Sequence, residues 1–492
     1  MDQQTGFGRV FIQENGANPG NPYSYQGCGK LGGFTEPQGG ITAIKCPSAS
    51  QYDEFEVVGS VRGEAGLPTT SLIIRLQPRL RMLRMKCAFD IQAHYGECTS
   101  PSDFHKWTQI VAFEQARFTQ KSSGELTAME ETERATVLVT GDITAQRIWY
   151  VETMTLAEVA PTEVTDEVVG VAMDPRVMCG TCGVPSDGTQ RMFAVVKSPT
   201  ATSPGLPAEL LVSEDGGGTW TQYVINTLGP SDDPSGIAIV GNNVVIVSND
   251  TGSLHYADMD DLSTWTEVTV GFDVLGPPNA IFALNTTAVW IVGDSGFVYF
   301  TEDITSGVTV QSTGGAAGNQ DLYDVHAMSV NVVIACGAAS TVIYSTNGGT
   351  TWAAVGGTGL PVAVSFRACW ARTTVCWLVG GANGRLYYTK DAGLTWTESS
   401  FPGSGAGAVY DIVFCLHPSS PFGFMAHTPV AGRGRILRTL DGGNTWHLLP
   451  DGGGLTPDND RIVCLAACGD PNIVLAGGLG ANGVDGILIV GS

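Results

Sequence analysis

Basic side chains are what this 492-residue sequence has least of: 25 Lys and Arg stand against 48 Asp and Glu, a formal net charge of −23. The shortage is sharpest downstream, where residues 161–492 hold 11 of the basic residues and 30 of the acidic ones. So acidic a surface repels nucleic acid and anionic membranes, which argues against a DNA-binding role. No run reaches the ~18 apolar residues of a membrane span. The opening Met-Asp-Gln-Gln-Thr-Gly-Phe-Gly has neither the basic start nor the apolar stretch of a secretory signal. Synthesis and folding in a cytoplasm are therefore expected, without membrane insertion. The 12 cysteines form no spaced framework; Cys336, Cys369, Cys376, Cys415 and Cys464 fall in strand-like runs and read as small buried hydrophobes. Cys179 and Cys182 make a lone C-x-x-C that could meet Cys464 and Cys468 as four zinc ligands, but free thiols suit the scatter better. A D-x-D-x-D-G calcium loop is also missing. No metal or cofactor is expected.

What is present is repetition. Five stretches run from an acidic or amide residue through a small turn to threonine and tryptophan. They are Ser213-Glu-Asp215-Gly-Gly-Gly-Thr219-Trp220, Asp258-Met-Asp260-Asp-Leu-Ser-Thr264-Trp265, Ser345-Thr-Asn347-Gly-Gly-Thr-Thr351-Trp352, Thr389-Lys-Asp391-Ala-Gly-Leu-Thr395-Trp396 and Thr439-Leu-Asp441-Gly-Gly-Asn-Thr445-Trp446. A sixth, around Asp303, keeps the aspartate but has Val308 where tryptophan would stand. Counted from the tryptophan position, the steps are 45, 43, 44, 44 and 50 residues. A period of about 40–50 residues marks a stacked or radial repeat.

The flanking segments alternate with period two and are rich in valine, isoleucine and aromatics, as in Ala288-Val-Trp290-Ile-Val and Phe297-Val-Tyr299-Phe300. Four such strands per repeat make a propeller blade. In the repeated phrase, Asp or Asn can accept main-chain N–H groups two residues on, and glycine supplies the positive φ of the reversal. Tryptophan then buries about 150–250 Å², a gross gain of a few kcal/mol at about 25 cal/mol/Å². That suits a structural rivet in every blade better than a catalytic group. The count gives seven blades, with six as the alternative. The run after Trp446 is one strand short of a blade, and a segment within residues 147–168 is expected to supply it and close the ring.

The phrase resembles the Asp-box (BNR) repeat found in sialidases, sortilin-type receptors, xyloglucanases and photosystem assembly factors. The resemblance implies a β-propeller over residues 161–492 and leaves function open, since these relatives do unrelated things on one scaffold. A sialidase would need a Phe/Tyr-Arg-Ile-Pro motif before the first box; here that stretch reads Asp174-Pro-Arg176-Val. Xyloglucanase-type hydrolysis asks for two acids across a cleft between propellers, and this chain has one. No catalytic residue is assigned. A possible ligand face combines Asp321, His326, Arg367 and Asp411 near the starts of innermost strands; the plainer reading is that they satisfy strand ends.

Residues 1–160 carry no box. A Gly/Pro-rich stretch from Asn15 to Gly40 reads as a long loop or an arm that would order on a partner. Strands are expected at Phe55–Val58, Ser71–Arg75, Cys87–Ile91, Thr136–Thr140 and Arg147–Val151, with a short helix starting at 101–107, in a β-sandwich or small barrel. Arg75, Arg79, Arg81, Arg84 and Lys86, interleaved with Leu and Met, form either a contact stripe toward a neighbouring copy or a solvated strand face. The phrases Cys87-Ala-Phe-Asp-Ile-Gln, Pro101-Ser-Asp-Phe104, Gly141-Asp-Ile-Thr-Ala-Gln and Ile148-Trp-Tyr-Val151 resemble bacteriophage tail-tube proteins. That resemblance implies a virion subunit polymerising into rings or tubes of a non-contractile tail. The propeller would be displayed outward, toward other virion proteins or a host-surface glycan. A glycan-binding or glycoside-cleaving propeller and an intracellular scaffold are the alternatives.

Overall fold

A computed structural model describes eight strands between Gly6 and Tyr150 by their backbone. It describes residues 154–491 with side chains, except 155, 160–163, 165, 174–190, 198–206, 231, 249–251, 271, 273–275, 416–421, 431–432, 441, 451–459, 468–471 and 481–485. The chain is almost entirely β and divides into two compact units, Met1–Thr153 with Thr181–Gly183, and Met154–Gly180 with Val184–Ser492. Among the described residues no helix is long and apolar enough to cross a membrane.

In the first unit, β1 (Gly6–Glu14), β2 (Ser24–Leu31), β3 (Phe55–Gly59), β4 (Thr70–Leu76), β5 (Ala88–Gly96), β6 (Trp107–Ser122), β7 (Ala135–Thr140) and β8 (Ala145–Tyr150) follow the order β2-β1-β5-β6-β7-β4-β3, with β8 also on β6. The long β6 joins the path by pairing with β5 and β8 along its first part and with β7 from Phe118 onward. One path of strands like this is common to sandwiches and barrels. β2 corrects the reading of residues 15–40 as loop throughout: antiparallel pairing with β1 overrides the weak strand propensity of Ser-Tyr-Gln-Gly-Cys-Gly-Lys-Leu. Trp107 opens a strand, and 101–106 lie outside the described residues. Arg75 sits in β4 opposite Thr136, whereas Arg79, Arg81, Arg84 and Lys86 lie outside them.

The second unit is a seven-bladed β-propeller, each blade a four-stranded antiparallel sheet. Its innermost strands are Val168–Met173, Pro234–Val240, Pro278–Asn285, Leu322–Ala327, Phe366–Ala371, Ala408–Phe414 and Arg461–Ala467, for blades 1 to 7. Second strands are buried and largely apolar, as in Met192–Val196 and Val333–Gly337, because neighbouring blades cover both faces. Outer strands are mostly exposed, as in Asp261–Thr269, where Leu262 and Trp265 alone are buried. Blade 7 takes three strands from the end of the chain and its outer strand from Leu156–Glu158, which pairs antiparallel with Gly486–Gly491. The ring is thus closed by residues from before its first blade, as the strand count requires. Cys336, Cys369, Cys376, Cys415 and Cys464 are buried free thiols; Cys179, Cys182 and Cys468 lie outside the described residues.

Candidate functional site

Every innermost strand breaks register near its start, and that of blade 3 does so again near its end. The extra residue of each bulge near the start is Val169, Ser235, Asn279, Tyr323, Arg367, Tyr410 or Val463, and all seven line a cavity of about 600 Å³ along the axis of the ring. The residue after each bulge must fit between strands of adjacent blades. In blade 1 it is Gly170, where a Cβ would come within 2.9 Å of Ile237 Cγ2. In blades 4 and 6 it is an aspartate.

Those two aspartates do the same work. Asp324 Oδ1 accepts from the Val325 N–H at 2.8 Å and Oδ2 from the Cys369 N–H of blade 5 at 2.7 Å. Asp411 Oδ1 accepts from the Ile412 N–H at 2.6 Å and Oδ2 from the Leu465 N–H of blade 7 at 2.7 Å. His326, two residues past Asp324 and so on the same strand face, accepts the Ala371 N–H of blade 5 through Nδ1 at 3.1 Å. The inner edge of a blade presents unpaired main-chain groups to the cavity, and side chains of the preceding blade satisfy them.

Electrostatics follow from this placement. Asp324 and Asp411 keep some area open to the narrow cavity, yet protein surrounds them on all other sides. Burial pushes the Asp411 carboxyl up to about 7, against the pull of the Leu465 and Ile412 N–H groups. Asp324 is raised by burial and then by the charge of Asp411. Burial lowers His326 to about 3, so it stays neutral. The two effects oppose each other. From pH ~4 to ~7 the folded Asp411 holds a proton that the unfolded chain has lost, so its contribution to stability declines as pH rises, and the raised Asp324 acts in the same direction. From pH ~6.5 down to ~3 the unfolded histidine takes up a proton that the folded one refuses, so its contribution declines as pH falls. Asp411→Asn should therefore narrow its melting-temperature gap to the unmodified protein by several degrees between pH 4 and 8. A gap unchanged with pH in calorimetry would contradict the assignment.

At the mouth, the Arg367 guanidinium lies between two tyrosines, 5.4 Å from the Tyr323 ring centroid and 5.5 Å from that of Tyr410. Arg461, paired with Glu167 at 2.9 Å, also lies over Tyr410. Deeper, Trp370 stacks on His326 at 3.7 Å, with Phe282 and Phe414 beside it at 6.4 and 5.8 Å. Of the residues expected on a ligand face, Arg367 alone is exposed and, among the described residues, without a hydrogen-bond or carboxylate partner; His326 and Asp411 line the cavity but are bound to backbone. Asp321 is not part of the lining and accepts the Ser295 N–H of blade 3 at 2.9 Å. Asp324 was missed, although Tyr323-Asp-Val and Tyr410-Asp-Ile are visible echoes two blades apart.

The repeated turns are a separate system. Asp215 Oδ1 accepts the Thr219 N–H and the Ser213 hydroxyl, both at 2.8 Å, and Oδ2 accepts the Thr219 hydroxyl at 2.8 Å. These bonds, the Thr219 N–H first, hold its pKa down at about 2. Asp391 makes the same set; Asn347 Oδ1 likewise accepts the Thr351 N–H and the Ser345 hydroxyl, while its Nδ2 donates to the Thr351 hydroxyl at 2.9 Å. Asp303 accepts from Thr305 and Ser306 instead. Asp260 departs from the expected role: Met259 and Asp260 form a tight hairpin between Asp258 and Asp261, so its carboxylate is free to pair with Arg191 of blade 1 at 3.1 Å. Asp441 lies outside the described residues. The tryptophans pack between blades: Trp265 with blade 1, Trp352 with blade 3, Trp396 with blade 4 and Trp446 with blade 5, while partly buried Trp220 packs toward blade 7. In blade 3, Ile304 fills that place against blade 2.

No protein-family model matches the chain, and no curated protein matches it. Among solved structures, YCF48 bound to D1 peptide is similar at 15% identity and a TM-score of 0.48, over 69% of this chain and 94% of that one. YCF48 from Cyanidioschyzon merolae gives 15% and 0.49 over 68% and 98%, and the WD40 beta propeller domain of Doa1 gives 12% and 0.47 over 68% and 96%. At these identities and scores, nothing about ligand or role passes from them to this chain.

Proposed function

We propose that this chain is a structural protein of a virion, a tail-tube subunit whose first unit assembles with copies of itself and whose Asp-box propeller is carried as a displayed binding module. The observation that carries the non-catalytic part is the commitment of the inner acids. Both oxygens of Asp324 and of Asp411 accept main-chain N–H groups of their own and the next blade, which supports a structural role for the pair. The hydrogen-bond set shared by Asp215, Asn347 and Asp391 supports the Asp-box reading. For the assembly part, the support is that three of the tail-tube-like phrases fall on or beside β5, β6 and β8, which are neighbours in one sheet. Arg75 and the basic residues after it remain the proposed contact stripe.

Glycoside hydrolysis is the second reading, favoured by the raised pKa of two acids in one cavity. Negative-stain microscopy of the purified full-length protein separates them. Rings or stacked tubes bearing peripheral discs are expected. Monomers that turn over a fluorogenic glycoside, with turnover lost in Asp411→Asn, would overturn the proposal.

A further inference from the structure

The mouth of the axial cavity offers hydrogen-bond donors with nothing to receive them. Arg367 is exposed, and among the described residues it has no carboxylate or hydrogen-bond partner, only the faces of Tyr323 and Tyr410. Neither tyrosine hydroxyl has a partner there either. The acceptors nearby are already used: Asp324 and Asp411 hold backbone N–H groups, and Glu167 pairs with Arg461 and with Lys197 at 3.1 Å. Two flanking rings fix the plane of the guanidinium and lower the entropy lost when it binds, and its fork of N–H groups matches a carboxylate.

The rest of the cavity limits the ligand. One uncommitted guanidinium in so acidic a surround suits a single negative charge, because a polyanion would meet repulsion from the remaining acids. Below the mouth stands partly exposed Trp370, held against His326 and flanked by Phe282 and Phe414, a face on which a flat or ring-shaped body stacks. A volume of about 600 Å³ admits one or two such rings. We propose that Arg367, Tyr323 and Tyr410 bind one carboxylate whose ring-shaped body lies down the cavity against Trp370. The inference deepens the reading of the propeller as a binding module, and its failure is separable: microscopy reports assembly whether or not a carboxylate binds.

Ligand-observed NMR and calorimetric titration of the full-length protein with glucuronate, benzoate, glucose and inorganic phosphate test it. Glucuronate or benzoate should bind, and whichever is tighter tells a sugar ring from an arene. Arg367→Ala should weaken that binding at least tenfold, and Tyr323→Phe and Tyr410→Phe severalfold, since they keep the ring and lose the hydroxyl. Glucose and phosphate should show no dependence on Arg367. Arg367→Gln, which keeps the side chain's bulk, guards against a folding defect, and its melting temperature should match the unmodified protein's. Absence of binding by both carboxylates, or equal binding by the Arg367 variants, overturns the proposal.

Discussion

Leu156→Asp should be among the most damaging single changes to the propeller, whereas Ala157→Asp, one residue along, should be tolerated. Leu156 is 4 % exposed and, with Met154, shares a buried cluster with Phe424 and Ile436 of blade 6 and Val474 and Ile489 of blade 7. Ala157 points to solvent. Strand alternation creates the contrast. An unpaired carboxylate at the first position costs several kcal/mol in desolvation; at the second it costs almost nothing. Because only three residue pairs join the closing strand to its neighbour, the loss falls on ring closure itself. A drop in melting temperature on the order of 10 °C is expected for Leu156→Asp, with earlier proteolysis within blade 7, where the closing strand joins. Equal tolerance of both substitutions would mean that this strand does not close the ring.

The second large effect belongs to Trp446. It is 2 % exposed and packs with Leu378 and Leu386 of blade 5 and Met425 and Leu437 of blade 6, its ring edge-on to Phe414 at 6.1 Å. Truncation to alanine removes that contact between blades and leaves a cavity, at a cost of about 3–5 kcal/mol. Among the described residues the indole N–H of Trp446 has no acceptor, nor have those of Trp265, Trp352 and Trp396. At these four tryptophans, area and dispersion rather than an indole hydrogen bond fasten one blade to the next. Trp446→Phe should accordingly cost less than about 1.5 kcal/mol. Denaturant titration of both variants checks this, and a phenylalanine as damaging as alanine would show that the N–H matters after all.

How far the fold can be read from the sequence depends on which signals are local. The number of blades follows from the spacing of six phrases, and the missing outer strand from counting runs after Trp446; both are properties of the chain in one dimension. Strand β2 is different, because its glycines obscure any propensity and only pairing with β1 defines it. The second phrase looks like the others, yet its tryptophan lies four residues inside a long strand, and a tight hairpin displaces Asp260 from the turn. Ile304 as the substitute for a tryptophan in blade 3 is invisible until blade 2 is set beside it. At the mouth, Arg367 is visible as a basic residue in an acidic region. Its place between Tyr323 and Tyr410 needs three blades in register, and no local pattern encodes that.

Amide hydrogen exchange, read by mass spectrometry on the unmodified protein, tests closure most directly. The Val159 N–H donates to the Leu488 carbonyl at 2.8 Å, and residues 156–158 ladder along Gly486–Gly491. If the ring is closed as described, peptides covering 156–159 exchange as slowly as those covering Val474–Leu479, through opening of the whole propeller. Fast exchange at 156–159 beside a protected 474–479 would mean an open ring, and the account would be wrong at its base.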